Sequence, residues 1–173
     1  MTRAIGIAVL SLVAFGEAAQ LSGLHINHTK SAPIGIWIER PAGSLKHGSM
    51  VSVCPPAVPV VRDLTEQGRL SPGDCFDTGV MPLLKPVAAI VGDVVRIRSG
   101  EPVSINGEEV RNSFPASGLK PWPDGDYKVA PGQIWVFSSY SDRSFDSRYF
   151  GPVSLSAIRA EVTPLLVFDD KEE

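Results

Sequence analysis

Side chains suited to metal or redox chemistry are scarce in this sequence, which has two cysteines and three histidines. Two lone cysteines and the scattered His25, His28 and His47 do not make a ligand set, so no metal site and no cofactor are expected. Positive charge is not in excess either, because the formal net charge is -3. Without a basic footprint, nucleic acid is not an expected partner. The chain also lacks an internal repeat and a low-complexity linker, which leaves an ordinary folded domain as the starting point.

What is present suits a β-rich fold. With 173 residues and 43% hydrophobic content, the chain can bury one core and is too short for two comfortable ones. Fifteen prolines and sixteen glycines, set between short Val/Ile-rich runs, disfavour a helical bundle.

The first segment differs from the rest. Arg3 precedes an apolar stretch from Ala4 to Gly16, interrupted at Glu17 and Gln20. A spanning helix needs about 18 to 20 apolar residues, a count reached here only by running on to Leu24. Three readings stay open: a cleaved export signal, a weakly apolar anchor, or a buried helix of a cytosolic domain. Either export reading keeps Arg3 on the cytoplasmic side and puts the chain from Leu24 onward in the periplasm, at or anchored to the inner membrane. The expected organisation is a signal or anchor over residues 1–24 and a periplasmic domain over 25–173.

Within that domain, strands are expected at Ile34–Ile38, Ser49–Val53, Leu83–Ile90, Asp93–Arg98 and Gln133–Phe137, with last elements at Ser154–Ile158 and Thr163–Phe168. Asn106-Gly107 is a hairpin signal, and Pro115–Gly125 reads as a surface loop. The sum is a mostly antiparallel β domain with little helix. Cys54 and Cys75 bracket a short helix-compatible stretch, Val60–Gln67. A bridge there closes a loop of roughly 20 residues and contributes about 3 kcal/mol by the loop-entropy model. The alternative is two buried free thiols.

Three segments carry candidate chemistry. Lys85 lies inside the apolar run Pro82–Val91. A lone lysine on a strand ordinarily points outward and snorkels. Buried instead, its pKa falls, and the neutral amine can take a proton from a serine hydroxyl. Ser31 precedes Pro33 and Gly35, residues that turn the chain and expose a side chain ahead of a strand. Asp146 and Arg148 alternate on one side of an extended chain and can pair, in the simplest case as a surface salt bridge. The histidines offer no base with a matching acid.

Taken in order, these segments resemble the type I signal peptidases, and more closely their TraF-type conjugative-transfer branch. Ser31-Ala-Pro-Ile-Gly-Ile-Trp resembles the nucleophile segment, with Ala32 where housekeeping leader peptidases carry Met. Lys85-Pro-Val with Val91-Gly-Asp-Val-Val is similar to the lysine box. Ile105-Asn-Gly, Val129-Ala-Pro-Gly-Gln and Ser144–Gly151 follow in family order. The resemblance implies an antiparallel β domain of the signal-peptidase type behind an N-terminal apolar helix. It implies Ser31 as nucleophile and Lys85 as general base, with the Ser31 N–H and the Thr29 hydroxyl facing the oxyanion. Ser144 would orient the lysine, and Asp146 and Arg148 would brace the site, the aspartate being itself a catalytic candidate. One segment departs: Ser138-Ser-Tyr-Ser stands where leader peptidases carry Gly-Asp-Asn-Arg.

The implied substrate is an exported protein of a conjugative type IV secretion system, above all the pilin precursor, cleaved and in some members cyclised. Three alternatives compete with this. They are a general leader peptidase, a self-cleaving repressor, which would need a DNA-binding head, and a non-enzymatic scaffold in pilus assembly.

Overall fold

The computed structural model describes residues 23–168. The expected apolar helix of the first segment lies outside the described residues. Among those described, no helix is long and apolar enough to cross a membrane. Leu24 lies in a strand and pairs with Ile38.

The elements run β1 (Leu24–Asn27), β2 (Gly35–Arg40), β3 (Met50–Val53), α1 (Pro59–Glu66), β4 (Leu83–Ala89), β5 (Val94–Ile97), β6 (Ser104–Ile105) and β7 (Glu108–Glu109). Then follow β8 (Gly125–Lys128), β9 (Gln133–Val136), α2 (Ser147–Phe150), β10 (Val153–Ser154) and β11 (Ile158–Val167). They form a seven-stranded sheet ordered β1-β2-β11-β3-β4-β9-β10 and a four-stranded sheet ordered β7-β6-β5-β8. Every strand pairing is antiparallel, so the expected mostly-β antiparallel class is what the chain adopts.

Strands β4 and β9 join the cores because both of their faces are covered. On β9, Ile134 and Val136 pack with Val51, Val53 and Phe150, while Trp135 packs with Val95, Ile97 and Phe137 in a second cluster. On β4, Val87 belongs to the first cluster, Ala89 to the second, and Leu84 to a third with Ala32 and Trp37. Each buried Val, Leu, Ile or Phe among them contributes about 1.5–3 kcal/mol relative to exposure. Lys85 therefore sits on a strand with little access to water, a consequence of where β4 lies in the sheet.

Other expectations meet their elements closely. Asn106 and Gly107 both have positive φ, 54° and 90°, and turn β6 into β7 as a hairpin whose two central residues are left-handed. Gly35 starts β2 where a Cβ would lie 2.1 Å from the Leu166 carbonyl oxygen, so only glycine lets the two strands approach. Cys54 and Cys75 are joined in a disulfide, and the free-thiol alternative falls.

Two expectations are corrected. Ser154–Ile158 is mostly a 3-10 turn over Leu155–Ala157, and β11 starts at Ile158 rather than Thr163. Pro164, inside β11, sits beside a register shift that tolerates its missing N–H. Asp146 and Arg148 do not alternate on an extended chain. Asp146 caps α2, accepting from the Arg148 N–H at 3.2 Å, and Arg148 lies within that helix.

Candidate active site

Ser31, Thr29, Lys85 and Ser144 line one groove of about 420 Å³, bounded by the β1–β2 turn, the start of β4 and the loop before α2. The sequence scatters these four residues over more than a hundred positions, and the sheet order collects them. β1 and β2 present the serine loop at their turn, while β4 reaches the same place through β11 and β3.

The base candidate is held by burial. Lys85 is 3% exposed, so the snorkelling reading does not hold. Its register opposite Val51 keeps it in the sheet interior. Its Nζ donates to Ser144 Oγ at 2.9 Å, and Ser144 is itself buried. Desolvation lowers the Lys85 pKa from 10.5 to about 8; Asp146 opposes that shift and Arg148 adds to it. An amine with that pKa is partly neutral near physiological pH, as a proton acceptor must be.

The nucleophile candidate is held by hydrogen bonds. Ser31 is half-buried on a loop without regular structure, and Asn27 spans that loop from the end of β1. Its Nδ2 donates to the carbonyls of Thr29 at 2.9 Å, Ala32 at 3.0 Å and Pro33 at 3.0 Å. Its Oδ1 accepts from the Thr29 N–H at 3.1 Å and the Thr29 hydroxyl at 2.8 Å. The Trp37 indole also donates to the Pro33 carbonyl, at 3.2 Å. Thr29 Oγ1 lies 3.2 Å from Ser31 Oγ. Since the Thr29 proton goes to Asn27, the Ser31 hydroxyl is the donor across that gap.

Behind the groove, Asp146 and Arg148 form an ion pair with both side chains 0% exposed, not a surface bridge. The carboxylate accepts from Arg148 Nε at 2.8 Å and Nη2 at 2.9 Å, and from the Ser138 N–H at 3.1 Å. Arg148 also donates to the carbonyls of Asn112, Phe114, Asp142 and Ser138, tying the loop between β7 and β8 to the loop between β9 and α2. Ser138 passes this frame to the nucleophile, its hydroxyl donating to the Ser31 carbonyl at 2.6 Å. Asp146 thus braces the site from beneath and does not line the groove.

Sequence reasoning missed two of these residues. Asn27 reads as an unremarkable polar residue at a strand end. Its signal was its place two residues before Thr29, where an Asx side chain bonds its own downstream backbone. Ser138 fell in the segment that departs from the leader-peptidase pattern. That departure supplies a hydroxyl where glycine offers none.

The family model described as signal peptidase, peptidase S26 matches residues 1–166. A plasmid transfer protein TraF of Escherichia coli is 34% identical, covering 97% of each chain. A conjugal transfer protein TraF of Agrobacterium tumefaciens is 36% identical over 93% of this chain and 92% of that one. A crystal structure of a signal peptidase I from Enterococcus faecalis aligns with 70% of this chain and 98% of its own at 17% identity, with a TM-score of 0.40. The near-full-length matches, together with the family model, show that this chain belongs to the S26 signal peptidase family of serine proteases.

Proposed function

We propose that the chain is a Ser31/Lys85 endopeptidase that processes exported conjugative-transfer proteins, above all a pilin precursor. One observation carries the catalytic part: a buried lysine, its pKa lowered to about 8, opens onto the same groove as a loop serine. Ser31 Oγ attacks the scissile carbonyl while neutral Lys85 takes its proton, with Ser144 fixing the amine's direction. The Ser31 N–H stabilises the oxyanion; the Thr29 hydroxyl joins it by leaving Asn27. Protonated Lys85 then delivers its proton to the leaving amine, and the acyl-enzyme forms. Water resolves it to a free carboxylate. The substrate's own amino terminus, acting in place of water, gives a cyclic product. Asp146 and Arg148 act as positioning residues through Ser138.

The substrate class rests on the names of the relatives, which are plasmid and conjugal transfer proteins. The proposed partners are the pilin precursor and other type IV secretion components. The proposed location is the periplasmic face of the inner membrane. Its supports are the disulfide, which persists in oxidising compartments, and the apolar outer face of β1, β2 and β11. There Ile26 pairs with Ile36 and Ile36 with Leu166, so the three share a face, and Ile26 is 68% exposed.

The test is the intact mass of a pilin precursor expressed with the wild-type chain or with Ser31→Ala. Trimming by the wild type alone is the expected result, and a further loss of one water marks cyclisation. Equal masses in the two strains overturn the assignment.

A further inference from the structure

The groove is charged in the opposite sense to the chain. The protein has nineteen Asp and Glu against sixteen Lys and Arg, yet no carboxylate lines the groove among the described residues. Besides buried Lys85, the lining includes Arg69 and Arg143, both exposed and neither ion-paired among the described residues. Arg96, Arg98 and Arg159, by contrast, are paired with Asp126 or Asp74.

Both arginines stand on fixed backbone. Arg69 follows α1, whose Val61 and Leu64 are buried, and its N–H returns to the Leu64 carbonyl at 2.9 Å. Beyond it, the Met81 N–H donates to the Ser71 carbonyl at 2.8 Å, and the Cys54–Cys75 disulfide closes the excursion. Arg143 immediately precedes Ser144, the partner of Lys85, and its N–H donates to Ser141 Oγ. A guanidinium at each of these places offers a planar fork that matches a carboxylate.

We propose that Arg69 and Arg143 form a carboxylate-recognition subsite, so that the preferred substrate carries a negative group close to the scissile bond. This rests on reading the groove as a peptide site and specifies its occupant. The negative group is an acidic side chain or a free chain terminus, two sources of one chemistry.

The test measures binding separately from cleavage. Full-length Ser31→Ala protein is titrated by fluorescence anisotropy with amidated peptides that share an Ala-containing core and carry Glu, Gln or Lys beside it. A neutral peptide is compared with a free and an amidated end. The Glu or free-end peptide is expected to bind about tenfold tighter than its neutral counterpart, with Lys the weakest and the gap narrowing in high salt. Whichever arm shows the gap identifies the source. Replacing both residues, Arg69→Gln and Arg143→Gln, should remove the preference without changing the melting temperature, since both side chains are exposed. Equal binding in both arms, no binding of any peptide, or a preference unchanged in the double variant overturns the subsite. The same peptides are given to the wild-type chain. Ser31-dependent cleavage with charge-blind binding sinks the subsite alone; charge-dependent binding without cleavage sinks the peptidase reading and leaves the subsite standing.

Discussion

The nucleophile loop and the lysine strand meet in one groove but are held there by opposite means. Residues 28–33 have no ladder of their own, so Asn27, Trp37 and Ser138 satisfy their carbonyls one by one. Lys85 lies on β4, the strand between β3 and β9, opposite Val51 of β3, and what makes it useful is the desolvation that the sheet imposes. A loop serine is exposed enough to meet a substrate, and hydrogen bonds remove the freedom that would blur its aim. A strand lysine is rigid already and needs only to lose its charge. Geometry is the costly part for one residue, protonation for the other.

The comparison breaks most visibly at Lys85. Lys85→Met should lower cleavage by about 10⁴-fold or more, because no proton acceptor remains. Lys85→Arg should be equally inactive, since a guanidinium stays protonated. In the wild type, kcat/KM should rise with pH and level off above about 8. Stability should behave oppositely to activity in the methionine variant. Below about pH 8 the lysine is charged in both folded and unfolded chains, so the full cost of burying that charge is present. Between about 8 and 10.5 the folded chain has lost the proton while the unfolded chain retains it, so wild-type stability rises with pH. Lys85→Met should therefore melt above the wild type at neutral pH and lose that advantage by pH 10.5. A melting temperature below the wild type at pH 7 would mean the bond to Ser144 outweighs desolvation.

The next effect belongs to the loop. Asn27→Ala removes five hydrogen-bond contacts, three donated and two accepted, and should cut kcat about a hundredfold with KM little changed. A large rise in KM with kcat intact would mean that Asn27 shapes the groove and does not aim the serine. Ser138→Gly, which restores the leader-peptidase residue, should cost about tenfold in kcat with a melting temperature near the wild type. An unchanged kcat would free the serine loop from the Asp146–Arg148 frame. The smallest effect is expected from reducing the disulfide. Stability should fall by about 3 kcal/mol, seen as a lower denaturant midpoint. Peptide KM should rise only a few-fold, because Arg69 and Leu70 lie on the wall it closes while Ser31 and Lys85 do not.

The sequence by itself determined the fold class, the hairpin at Asn106-Gly107 and most core strands, because each is written in local signals: alternation, turn residues, apolar runs. It also offered Lys85 as an anomaly, a charge inside an apolar run, and Ser31 as a serine before a Pro/Gly turn. Neither signal alone separates a site from a surface. Tertiary structure decided that Lys85 is buried, because burial depends on which strands flank β4, and that comes from a pairing order no local window contains. It likewise turned Asp146 and Arg148 from an expected surface pair into a buried frame, and gave Ser138 and Asn27 their work. Hydrogen bonds between residues as far apart as Ser31 and Ser138 leave no periodicity in the sequence; they exist only once the sheet has brought the two segments together.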